Sequence, residues 1–115
     1  MLTWQQKYWQ EIDRANEVRA RGNEGQARVC ARRAAGIALR EYFRLRGVQT
    51  LSPSAYDLLK ILLEMDDLPA TIRQSAEHLT LRVDEEFKLP AGIDLVKEAQ
   101  QLSEHLLPDA FSEKQ

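Results

Sequence analysis

A lane of small side chains between two glycines constrains this chain more than any other feature. At 100° per residue, Ala27, Cys30, Ala31, Ala34, Ile37, Ala38, Tyr42 and Leu45 share one broad arc of a helix running from about Glu24 to Arg46. Arg28, Arg32, Arg33, Arg40, Arg44 and Arg46 fall on the opposite arc. A buried stripe made mostly of alanine lets a neighbouring helix come close. The segment is therefore expected to be the central rod of the fold, or to pack tightly across a dimer axis. Gly36 inside it costs about 1 kcal/mol against alanine and is consistent with such an approach.

The punctuation around this rod is helical throughout. Thr3 and Gln6 have capping-box spacing ahead of Trp4, Tyr8, Ile12 and Ala15, which predicts a first helix over 3–21. Gly22 and Gly47 fit stops, and Asn23 with Gln26 repeats the cap spacing. Ser52-Pro53 predicts the start of a third helix with Tyr56, Leu59, Leu62 and Leu63 inward, ending at Asp66-Asp67. Pro69 opens a fourth, where Ile72, Ala76, Leu79 and Val83 recur, and Leu89-Pro90-Ala91-Gly92 breaks it. Asp94 caps a fifth with Leu95, Ala99, Leu102 and Leu106 inward, closed by Pro108. No segment alternates with period two for long enough to read as a strand. The expected fold is all-α, an antiparallel bundle of about five helices in one domain over 1–115, with a frayed tail from about 109.

Charge is unevenly placed. Residues 14–46 hold nine arginines and three acids, whereas residues 47–115 hold six cations and thirteen acids. The basic stretch could attract phosphate or an acidic partner, could pair with the acidic half of the same bundle, or could be solvated. Cys30 is the only cysteine, which excludes an internal disulfide and a zinc site of several thiolates. No apolar run reaches 18 residues, and the first residues carry no signal-peptide core, so the expected compartment is the cytoplasm, with no membrane partner.

Motifs narrow the chemistry further. There is no glycine-rich phosphate loop, and no Glu-x-x-His spacing, since Glu77-His78 and Glu104-His105 are adjacent. Neither a metal nor a cofactor is expected. Cys30 lies on the apolar arc and reads as an inert thiol. His105 falls in the last turn of the fifth helix, where the dipole favours a cation. Arg28 with Arg32, and Arg40 with Arg44, stand one turn apart and could clamp phosphates, making Arg28, Arg32, Arg33, Arg40 and Arg44 the candidate nucleic-acid contacts. Arg73 and His78 are the candidate catalytic pair. Histidine can move a proton near neutral pH, and arginine can stabilise an anionic transition state, which suffices for metal-independent RNA cleavage through the 2′-hydroxyl. A five-residue step turns 140° on a regular helix, so the two side chains diverge unless the helix distorts or a second subunit completes the site. Arg73 and Glu77 could instead form a surface pair.

One order of features carries a resemblance. A first helix leads through Gly22-Asn23-Glu24-Gly25-Gln26-Ala27-Arg28 into the helix of Cys30-Ala31-Arg32-Arg33-Ala34-Ala35-Gly36. A helix with the Arg73…His78 spacing follows, then a break at Phe87-Lys88-Leu89-Pro90 and a last helix rich in Glu and Ala. This layout, over residues 4–107, resembles the small prokaryotic HEPN domains, the bundle also seen in the C-terminal part of kanamycin nucleotidyltransferase. The resemblance implies one of two activities. One is a toxin or defence ribonuclease acting at a dimer cleft through Arg73 and His78, although Gln74 stands where the commoner motif has asparagine. The other is a non-catalytic domain that binds nucleotide or RNA, or accompanies a separately encoded nucleotidyltransferase. The second is the favoured reading, with a homodimer expected; a helical interaction module without a small ligand is the third.

Overall fold

The computed structural model describes residues 1–49, 54–81 and 92–111. The predicted start of the third helix at Ser52-Pro53, the position of Val83 and the break at 89–91 lie outside them. Among the described residues there are six helices and no strand: α1 (Trp4–Ala20), α2 (Glu24–Leu45), α3 (Ala55–Leu63), α4 (Ala70–Thr80), α5 (Leu95–Leu106) and the single turn α6 (Pro108–Phe111). The all-α bundle is as expected from the sequence.

Local chemistry explains most boundaries. Thr3 accepts from the Gln6 backbone while the Gln6 side chain accepts from the Thr3 N–H, a complete capping box. α1 and α2 both end in Schellman turns. Gly22 N–H reaches Arg19 O and Asn23 N–H reaches Val18 O; Gly47 N–H reaches Arg44 O and Val48 N–H reaches Phe43 O. Both glycines have positive φ, +85° and +72°, which side-chain-bearing residues rarely adopt. The cap of α3 is Ser54, which accepts from Asp57 N–H, and the helix stops at Leu63, short of Asp66-Asp67. Asp94 caps α5 as expected, accepting from Val96 and Lys97 N–H.

α2 is the central rod. It packs against α1, α3 and α5, and α4 lies outside on α3 and α5. Ala27, Cys30, Ala31, Ala34, Ala35, Ala38 and Leu39 have no exposed surface. The stripe is filled by helices of its own chain, so it offers no face to a second copy. The arc is also rotated from the expected one: Ala35, Leu39 and Phe43 are inside, whereas Leu45 is 61% exposed. The rod is packed on more than one side, by α1, α3 and α5. Gly36 is where the α3 contact is tightest. A Cβ placed there would lie 2.7 Å from Ala55 Cβ and 3.1 Å from Ala55 Cα.

Two features close the ends. Arg19 holds both Glu24 (2.8 and 3.0 Å) and Asp94 (3.0 Å), tying the α1–α2 corner to the start of α5. Burial pushes the Asp94 carboxyl up, but Arg19 and the cap N–H groups outweigh it and hold the group below its ordinary value. At the other end, residues 108–111, where a tail from about 109 is expected, form the turn α6, and the Phe111 ring meets Trp4, Tyr8 and Trp9 edge-on. Tyr8 is fully buried, and its hydroxyl lies near Ser103 without a well-formed hydrogen bond. Burial raises its phenol to about 12, with Ser103 opposing and Glu104 adding to the rise.

Gly36→Ala is expected to lower stability in urea by about 1–2 kcal/mol. The propensity gain of about 1 kcal/mol is outweighed by overpacking against α3. Ala55→Gly in that background should recover part of the loss. Tyr8 makes a second prediction. The folded chain keeps the phenol proton where the unfolded chain, at about 10, releases it. That contribution is full below pH 10 and is lost as pH rises towards about 12. Tyr8→Phe should flatten the alkaline limb of a stability–pH profile without destabilising the protein at pH 7.

Candidate functional site

The two residues of the Arg-x4-His spacing serve different neighbours. Arg73 is half-buried and turns towards α3, donating to the carbonyls of Leu63 (2.8 Å) and Met65 (2.5 Å). These carbonyls end α3 and have no helical donor, so the guanidinium acts as a C-cap from another helix. His78 turns towards α5, where Nδ1 lies 2.7 Å from Glu98 Oε1. The side chains of this pair are 19% and 18% exposed. A carboxylate accepts only, so the neutral imidazole carries its proton on Nδ1 and leaves Nε2 as an acceptor. α4 runs straight between the two, and the 140° divergence of a regular helix stands. Within one chain Arg73 and His78 are not brought to a shared cleft, nor does Arg73 pair with Glu77. His105 is exposed in the last turn of α5.

The arginines of α2 divide by use. Arg32 crosses to α4, donating to Leu79 O (2.7 Å) and Leu81 O (3.0 Å), so it caps the C-terminus of α4 as Arg73 caps that of α3. Arg44 is bidentate to Glu41 on its own helix (2.7 and 3.0 Å). Arg28 is half-buried, with its Nε shielded and without a hydrogen bond. Neither one-turn pair, Arg28 with Arg32 or Arg40 with Arg44, therefore forms a common clamp.

Arg33 and Arg40 come together instead. Both are exposed, and with Gly36 and Ile37 of α2, Glu11 of α1 and Ala55 of α3 they line a groove of about 240 Å³. Positions 33, 36, 37 and 40 share one face, with an arginine one turn to either side of Gly36. Gly36 itself is buried against Ala55, and the groove runs beside that contact. Glu11 forms the opposite wall, and its Oε1 is buried without a hydrogen bond. Cys30 lies beneath, fully buried. Burial and Glu11 push its thiol up against the weaker pull of Arg14, Arg33 and Gln26, which suits an inert core thiol. Among the described residues, no three His, Cys, Asp or Glu side chains gather as a metal site would need. No described helix is long and apolar enough to cross a membrane.

No family model, curated protein or solved structure matches the chain. The residues the sequence concealed are Glu11, Glu98 and Ala55. Each meets its partner from another helix, so no local spacing announces it. Gly36, an interruption in an alanine lane, was the one visible trace of the groove.

The caps predict a contrast. Arg73→Ala removes two charge-assisted bonds to otherwise orphaned carbonyls and should lower denaturant stability by about 1–3 kcal/mol. Arg44→Ala removes a pair whose arginine end is exposed while its Glu41 end is largely shielded, and should lower the midpoint less than Arg73→Ala does.

Proposed function

We propose that the chain is a non-catalytic binding domain for nucleotide or RNA, of the HEPN-like kind its sequence layout resembles. The observation supporting this reading is the convergence of Arg33 and Arg40 on one groove. Two guanidinium groups lining one groove offer donors to phosphate oxygens, and such contacts position a backbone without reading its sequence. An accessory role beside a separately encoded nucleotidyltransferase belongs to the same proposal. So does a homodimer, which would form through a surface other than the alanine stripe.

One observation favours the ribonuclease as a second reading. Glu98 orients the His78 imidazole as a carboxylate orients a catalytic base. The commitment of Arg73 to the end of α3 speaks for the binding module over that reading.

A single preparation tests both. Single-stranded RNA should bind with an affinity that falls steeply with salt, and Arg33→Gln with Arg40→Gln should weaken binding at least tenfold and flatten the salt slope. The RNA should remain intact in EDTA. Cleavage there, lost in His78→Ala, would replace the binding module with the ribonuclease.

A further inference from the structure

The large apolar side chains left exposed among the described residues are Met1, Leu2, Trp9, Leu45 and Val48. All lie around the first turns of α1 and the end of α2. Two grooves adjoin there. One, of about 340 Å³, is lined by Leu2, Trp9, Asp13 and glutamines of α1. The other, of about 270 Å³, runs from Gln5, which both share, past Trp4 and Leu45 to Pro108. Apolar surface gathered in this way on a small domain, and rimmed by polar side chains, marks a place of contact.

Charge indicates what covers it. The charged residues lining the two grooves are Asp13, Glu41 and Asp109, and no cation lines either. Glu41 is already held by Arg44, so the argument falls on Asp13, which is exposed one turn beyond Trp9. Glu17 follows one turn further along the same face, whereas Lys7 and Arg14 are turned about 100–120° away from Asp13. A two-fold contact of this face with itself would set acid against acid. The complementary surface is instead apolar and basic. We infer that this face docks an amphipathic helix of a partner protein, whose apolar stripe packs on Trp9 and Leu45 and whose lysine and arginine side chains meet Asp13. Such helices enter grooves through anchors three, four and seven residues apart. A guanidinium beside Trp9 gains from the ring face as well as from the carboxylate. The inference uses neither Arg33 nor Arg40 and stands independently of the nucleotide or RNA reading.

The test compares a fluorescein-labelled helical peptide, leucine on one face and lysine and arginine on the other, with a twin carrying glutamate in place of the cations. Fluorescence anisotropy at fixed low salt reads the binding. Wild-type protein should bind the basic peptide about tenfold more tightly than the acidic one. Trp9→Ala should weaken binding of the basic peptide about tenfold or more. Asp13→Lys, an exchange of one exposed side chain, should reverse the preference, with circular dichroism of both variants as the control for folding. Binding of neither peptide, equal binding of the two, or a preference that Asp13→Lys leaves unchanged overturns the proposal. So does a wild-type dimer in sedimentation that Trp9→Ala dissolves, because a second copy then occupies the face.

Discussion

Close approach along α2 is the constraint on which the rest depends. Helices pack at distances set by the side chains between them, and here those side chains are mainly methyl groups. Ala27, Ala31, Ala34, Ala35 and Ala38 are fully buried, so α1, α3 and α5 all crowd one rod. Dispersion contacts are individually weak, but at this spacing backbone atoms contribute as well as side chains. The extreme is Gly36 against Ala55, where a single methyl has no room. The rod accounts for the architecture, and Gly36 is the position that admits α3 to it.

Three arginines have structural tasks in this fold. Arg19 joins three helix ends through two carboxylates, whereas Arg32 and Arg73 satisfy carbonyls that end other helices. The planar guanidinium suits these tasks, since its fork reaches two acceptors at once. The basic stretch of the sequence is thus partly consumed by helix ends. Charge counted along the chain overstates what is presented to a ligand.

Local chemistry was legible in the sequence and tertiary chemistry was not. The cap at Thr3, the stops at Gly22 and Gly47 and the cap at Asp94 involve partners within five residues, so spacing revealed them. The central position of α2 was also visible, because alanine periodicity reports a buried face directly. Its rotation was not, since α3 packs on a second side of the rod, where Gly36 meets Ala55, and the period of α2 does not encode the position of α3. For the same reason the five arginines of α2 looked equivalent by spacing and proved different by neighbour. Phe111 was hidden because four residues after a proline carry too little periodicity to declare a helix, and its place was decided by three aromatic rings from α1.

The two carbonyl caps link the outer helices in series. Arg32 reaches from the rod to the end of α4, and Arg73 reaches from α4 to the end of α3. Fraying at the last turn of α4 therefore loosens a hold anchored in the rod, and displacement of α4 uncaps its predecessor. The helical hairpin of α3 and α4 is thus tied to the rod through the C-terminal end of each helix, and loss of one cap weakens the hold on both.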